Sequence, residues 1–164
     1  MSLSLIIPVK NEEEIILNTI NFLEESWIKE IDHEIIFIDD FSNDKTLKLI
    51  SNYNSTKLNI LLFKNTKPGL GSAINTAVDN FRKEFFCIFM SDLSDDLDDL
   101  KSYYQTIYDS NLDAVFGSRF IKGSKVKNYP KLKYILNRFA NFIVGLFFMN
   151  SFNDYTNAFK IYRK

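Results

Sequence analysis

Short apolar runs alternate with stretches of helical spacing along this chain, and no other feature limits the available folds as much. The runs 3–9, 34–39, 59–63, 85–90 and 113–117 are brief, rich in β-branched and aromatic residues, and mostly apolar on both faces. They read as buried strands, because a strand covered on both sides has no need of a polar face. Between them apolar residues recur every three or four positions: Ile16, Ile20, Leu23 and Trp27; Leu47, Ile50 and Tyr53; Leu70, Ile74, Val78 and Phe81; Leu97, Leu100, Tyr104 and Ile107. Strand–helix repetition of this kind builds a mostly parallel sheet with helices on both faces. The expected fold class is therefore α/β, a three-layer αβα arrangement forming one domain over residues 1–164. Helix starts are expected at Asn11, ahead of three glutamates, at Ser42-Asn43-Asp44, and at Asp96, Asp98 and Asp99, which cap and solvate the first turn of the helix after the fourth strand.

Composition removes several classes of function. An apolar share of 46%, with 16 Phe, excludes a disordered chain. Cys87 is the single cysteine and lies inside an apolar run, so it reads as a buried thiol and not a nucleophile. No secretory leader is legible after Met1. The longest apolar run, 142–149, is far below the roughly 20 residues that a bilayer crossing needs. The expected location is the cytoplasm. Net charge is only −1, yet residues 1–113 hold 10 Lys/Arg against 20 Asp/Glu, while 114–164 hold 10 against Asp154 alone. A split of this size points to an anionic partner near the C-terminal part.

In open α/β sheets, ligands bind outside the carboxyl ends of the strands. Polar residues gather there: Pro8 to Glu12, Asp39 to Ser42, Ser91 to Asp95, and Gly117 to Arg119. Asp39 and Asp40 follow a buried run, where they act either as turn formers and caps or as acceptors for a base or ribose. The stretch from Asp92 to Asp99 holds five aspartates, but its spacing fails as a calcium loop, since Leu97 and Tyr103 occupy the required Gly and Glu positions. "GLGSAI" fails as a dinucleotide fingerprint because Ile74 replaces the third glycine. His33 has no second ligand at metal spacing and reads as structural. Residues 119–138 contain Arg119, Lys122, Lys125, Lys127, Lys131, Lys133 and Arg138 and no acid. They lead into the stripe Leu132, Ile135, Leu136, Phe139, Ile143, Leu146 and Phe147, which either packs on the sheet or lies at a membrane surface as an amphipathic helix over 130–149. Nucleic acid is not an expected partner, because the remaining surface is acidic.

Six blocks, "SLIIPVKNE", "EIIFIDDFSNDKT", "KPGLGSAINTA", "FMSDLSDDLDDL", "AVFGSRF" and "DYTNAFKIYRK", stand in the order and spacing of the family 2 glycosyltransferases. The resemblance runs from Ser4 to Lys164. Within the family it is most similar to polyprenyl-phosphate sugar transferases of the dolichol-phosphate mannosyltransferase type. It implies a GT-A fold and metal-dependent, inverting transfer from a GDP- or UDP-sugar to a polyprenyl phosphate. It also implies a peripheral position at the cytoplasmic face of a membrane. By that resemblance Pro8, Lys10, Glu12, Ile38, Asp39, Asp40 and Ser91 surround the nucleotide, with Asp39 and Asp40 on base and ribose. Arg119, Lys160 and Arg163 fall at its phosphate-binding positions, and Asp92 and Arg119 at its catalytic ones. The family's Asp-Ala-Asp-Leu pattern is altered here: Met90 stands at its first Asp, and a thioether is too soft for Mg²⁺ or Mn²⁺. Asp92, helped by Ser94 or Asp95, is then the expected metal ligand, which is enough for Mg²⁺ held largely by phosphate and water.

Two alternatives stand beside this reading. One is a family 2 transferase with a saccharide acceptor; the other is a catalytically silent nucleotide-binding or scaffold protein, suggested by Met90. Family members usually continue past the last block, so a membrane-anchoring partner or a further segment beyond Lys164 is an expectation.

Overall fold

A computed structural model describes residues 1–121, 124, 130–149 and 152–164. Lys122, Lys125 and Lys127 of the basic run, and the side chain of Lys131, lie outside the described residues.

The five expected strands form: β1 (Ser2–Val9), β2 (Asp32–Asp39), β3 (Ile60–Lys64), β4 (Phe85–Ile88) and β5 (Ala114–Phe116). A sixth, β6 (Lys160–Arg163), was not expected. The sheet order is β3-β2-β1-β4-β6-β5, with β1 parallel to β2 and β4, and β2 parallel to β3. Strand β6 runs antiparallel to both β4 and β5, so β5 points the same way as the parallel strands. The sequence "KIYR" hides this strand because only Ile161 shows an apolar core side chain, and its charged ends look like ligands.

Period-2 alternation assigns the two faces. Leu3, Leu5, Ile7 and Val9 of β1, with Phe37, Phe85 and Cys87, enter a large core covered by α1 (Ile16–Glu24), α2 (Thr46–Ser51) and α4 (Leu97–Asp109). Ile6, Ile36 and Ile38 point to the other face, beneath α3 (Leu70–Val78). The expected stripe on α4 is correct, since Leu97, Leu100, Tyr104 and Ile107 are all buried. Of the stripe expected for α3 only Phe81, just past the helix, is buried: Leu70 and Val78 are exposed, Ile74 is half-buried, and Ala73 and Ala77 face the sheet. Small side chains there let the helix axis approach Ile6 and Ile38 closely, and a large apolar residue in its place would not fit.

The expected helix starts are met at α2, where Asp44 Oδ1 accepts from the Thr46 N–H at 2.9 Å, and at α4, but not at Asn11. Asp96 caps α4, its carboxylate accepting from the Asp98 N–H at 2.7 Å, with Asp98 and Asp99 in the favourable first turn. Asn11 caps nothing, because α1 begins only at Ile16. His33 is structural, as expected: its Nδ1 lies 2.8 Å from the Ile31 carbonyl, and its Nε2 accepts from the Asn59 N–H. Burial holds the Cys87 thiol well above its ordinary pKa, which keeps it inert.

Helix α5 (Lys131–Phe148) stands off the sheet. Leu132, Ile135, Leu136, Phe139, Phe142, Leu146 and Phe147 are each more than half exposed, so the packing alternative for the stripe does not hold. The inward side is instead the polar one. Asn141 is buried, accepts from the Thr156 N–H at 3.2 Å and donates to Thr156 Oγ1 at 3.2 Å. No helix among the described residues is long and apolar enough to cross a membrane.

Candidate active site

The carboxyl edge of the sheet collects the ends of β1 to β5 and, because β6 is antiparallel, the segment leading into β6. The loops after β1 and β2 are cross-linked there. Asn11 N–H donates to Ser42 Oγ, Glu12 N–H to Thr46 Oγ1 and Glu13 N–H to Asp44 Oδ2; in return Asn43 N–H reaches Asn11 Oδ1 and Lys45 N–H reaches Glu13 Oε2. The residues expected to cap helices serve as this latch. Backbone strain collects at the same edge: Asn11, Phe41 and Leu93, one after each of β1, β2 and β4, have φ values of 56°, 60° and 55°.

Asp39 and Asp40 end β2 side by side but do different work. Asp40 is buried and accepts from Asn65 Nδ2 at 2.7 Å and from the Gly69 N–H at 2.9 Å, while the Lys10 ammonium lies 3.5 Å away. Partial burial pushes its pKa up, but the Asn65 and Gly69 hydrogen bonds and Lys10 outweigh this, so it stays below the ordinary value of 3.8. Asp40 therefore clamps the loop between β3 and α3. Asp39 accepts only from the Ser42 N–H, at 3.3 Å, which leaves Oδ2 uncommitted among the described residues. Asp40→Ala is expected to cost about 1–3 kcal/mol in urea unfolding, since Asn65 and Gly69 lose a charged acceptor. The sign with pH follows from the lowered pKa: the stabilisation is complete above 3.8 and disappears as pH falls through the folded value.

Pro8 is buried in β1, opposite Ile38 in register, and the Ile38 side chain is committed to the core under α3. Only the backbone of Ile38 is placed to meet a ligand. Glu12 and Ser91 come together across the edge, the Ser91 hydroxyl donating to Glu12 Oε1 at 3.1 Å.

After β4 the chain turns through Asp92, Leu93 and Ser94. Asp92 is exposed and accepts from the Ser94 N–H at 3.0 Å. Asp95 is half-buried and accepts from the Met90 N–H at 3.0 Å. Burial, with the Asp92 charge, pushes its pKa up to about 6, against the Met90 hydrogen bond and Arg119, which pull it down. Asp92, exposed and lightly engaged, and its neighbours Ser94 and Asp95 carry the oxygen donors that Mg²⁺ or Mn²⁺ prefers, while among the described residues no group of three or more His, Cys, Asp or Glu is placed to hold a metal ion.

Arg119 follows β5. Its Nε and Nη2 grip both oxygens of Asp154 at 2.9 and 2.7 Å, its backbone N–H adds a bond at 2.8 Å, and Nη2 reaches Thr156 Oγ1 at 3.0 Å. Asp154 is fully buried; burial pushes its pKa up, yet the Arg119 bonds hold it below its ordinary value. Lys160 opens β6, donating to the Tyr155 carbonyl at 2.9 Å. Burial, with Arg119, lowers its pKa against the pull of Asp154. Arg163 is a correction. It pairs with Phe85, the first residue of β4, about 10 Å along the strand from Lys160 and towards the opposite edge of the sheet. There its guanidinium donates to Glu84 and to the carbonyls of Ile107 and Leu112, closing the end of α4.

The sequence reading missed Asn65, Asp154 and Thr156. Asp154 carried one signal, as the single acid in the strongly basic stretch 114–164.

The family model for glycosyl transferase family 2 matches residues 4–164. The chain belongs to that family. The fold of this family 2 chain is the GT-A type, as in the mannosyltransferase PcManGT from Pyrobaculum calidifontis, solved with GDP-Man and Mn²⁺, which superposes with a TM-score of 0.61 at 22% identity over 83% of this chain and 38% of that one. A dolichol-phosphate mannosyltransferase of Pyrococcus furiosus is 27% identical over 141 residues, 85% of this chain and 39% of that protein. A poly(ribitol-phosphate) β-glucosyltransferase of Bacillus spizizenii is 27% identical over 133 residues, 80% of this chain and 21% of that protein. The chain thus spans well under half the length of either relative.

Proposed function

We propose that this chain transfers a sugar from a GDP- or UDP-linked donor to a polyprenyl phosphate at a membrane surface, in one displacement that inverts the anomeric carbon. The observation that carries the acceptor is α5: an apolar face turned outward, a polar face anchored through Asn141 and Thr156 to the segment that holds Arg119. A cleft of about 340 Å³ beside it is lined by Phe142, Gly145, Leu146 and Phe152, with Arg138 at hand. The basic stretch 114–164 favours anionic headgroups, which supports a peripheral position on the cytoplasmic face of a membrane.

Pro8, Lys10, Glu12, the Ile38 backbone, Asp39 and Ser91 surround the nucleoside, with Asp39 Oδ2 accepting from base or ribose. Asp40 acts by shaping the loop beside them. Asp92, with Ser94 and Asp95, would hold Mg²⁺ or Mn²⁺, which when bound would neutralise charge on the departing nucleoside diphosphate. Arg119 and Lys160 are the cations near the phosphates. The acceptor phosphate is largely dianionic near neutral pH, so attack on the anomeric carbon needs no strong base. This agrees with an edge that holds carboxylates and cations but no histidine. The relatives' names support both halves of the reading: a dolichol-phosphate acceptor in one, and a GDP-sugar with Mn²⁺ in the solved neighbour. The Bacillus spizizenii relative supports a second reading, a sugar–phosphate polymer as acceptor.

Transfer of radiolabelled sugar from GDP-mannose and UDP-glucose, with Mn²⁺, to undecaprenyl phosphate in anionic vesicles separates the two. Label entering the lipid is the expected result. Label appearing only in added poly(ribitol phosphate) would overturn the lipid acceptor.

A further inference from the structure

Five residues other than glycine have positive φ, and their surroundings differ. Asn11 and Asn111 belong to the residue type that tolerates this conformation, and Met149 closes α5 in the usual left-handed cap. Leu93 is bulky, but its side chain packs against the large core, which offsets the strain. Phe41 is bulky, held at φ 60°, 48% exposed, and belongs to neither core cluster. It makes no ring contact among the described residues.

The backbone around it leaves no choice. Asp40 N–H donates to the Val9 carbonyl at 2.8 Å, and Ser42 is fixed on both sides, through its N–H to Asp39 and its hydroxyl from Asn11. The loop thus forces a strained, solvent-facing aromatic into place directly after the acid pair at the carboxyl edge. An exposed apolar side chain alone is ordinary. One kept in a disfavoured backbone region, beside a carboxylate with an uncommitted oxygen, is an expense that a folding role does not explain.

We propose that Phe41 is the stacking face for the donor's nucleobase, with Asp39 Oδ2 accepting a hydrogen bond from the same nucleoside. The inference rests on the nucleotide-sugar reading and goes beyond it by naming a base-recognition residue. An aromatic face accepts any base, so Phe41 supplies affinity for the nucleoside more than choice between guanine and uracil.

The test uses the whole chain with Mn²⁺ and three probes: GDP, UDP and inorganic pyrophosphate. Phe41→Gly should weaken GDP and UDP binding about 5- to 100-fold, the range that one base–aromatic stack covers, and leave pyrophosphate binding unchanged. Its thermal midpoint should stay level or rise, because glycine adopts the backbone angle without strain. Phe41→Trp should keep the affinity and show indole emission quenched by GDP and UDP but not by pyrophosphate. Unchanged GDP and UDP binding in Phe41→Gly overturns the assignment, and so does an equal loss for all three probes, which would mean that the loop had collapsed. Wild-type protein that binds neither GDP nor UDP overturns the donor reading itself, a result separate from any effect of residue 41.

Discussion

Arg119→Ala should lower the unfolding free energy by about 3–5 kcal/mol. Asp154 is fully buried, and Arg119 supplies three of its hydrogen bonds; the variant strands an ionised carboxylate in the interior. The backbone N–H of residue 119 survives the substitution, so the lower end of that range is the better expectation. Urea unfolding measures it directly. Arg119→Lys, which keeps the charge and loses the two-pronged grip, should fall between wild type and Ala. The double variant Arg119→Met with Asp154→Leu should lose less than Arg119→Ala alone, since no unpaired charge remains buried. A loss below about 1 kcal/mol in Arg119→Ala would show that the pair is not what holds this edge together. Acid should act in the same direction: the lowered Asp154 pKa gives stabilisation that is complete above 3.8 and is lost as pH falls through the folded value. The consequence for function is practical. Arg119 cannot be tested as a phosphate ligand by truncation, because the same change loosens the segment that carries Thr156 and Lys160.

Asp92→Ala should do the reverse, removing activity and sparing the fold. Its side chain is exposed and holds only the Ser94 N–H within its own turn, so unfolding should shift little. If Asp92 is the exposed carboxylate of the metal site, sugar transfer should fall by about 100-fold or more, the scale of several kcal/mol of charge stabilisation at the departing diphosphate. Nucleotide-sugar binding should at the same time stop responding to Mn²⁺. Mn²⁺-dependent stabilisation that persists unchanged in Asp92→Ala would remove the assignment and return the metal to Asp95 or elsewhere. Asp95 makes a poorer first test, because it also holds the Met90 N–H at the end of β4.

Much of the fold was written in period and spacing. Five of the six strands follow from short apolar runs, and α4 from an unbroken stripe, because burial on both faces of a sheet leaves little freedom in which side chains fit. β6 escaped because a strand of four residues needs only one core side chain, Ile161, to earn its place between β4 and β5. α3 misled for a related reason. Periodicity marks the large apolar residues, whereas the contact with the sheet is made by alanines whose small size carries no such signal. α5 shows the converse, since an amphipathic stripe states that a face is apolar and not what covers it.

The sequence by itself determined the family, the α/β class and the carboxyl edge as the place where Asp39, Asp40, Asp92 and Arg119 gather, because strand order and polar strand ends are local properties. Only the tertiary structure decided what each of those groups is already holding. Asp40 is spent on Asn65 and Gly69, Arg119 on Asp154, and Arg163 stands towards the far edge, while Asp92 and the ring of Phe41 are exposed and Asp39, though buried, keeps one oxygen uncommitted among the described residues. Partnerships between residues some 25 to 80 positions apart depend on how the strands are ordered and which way β6 runs, and no local pattern encodes them.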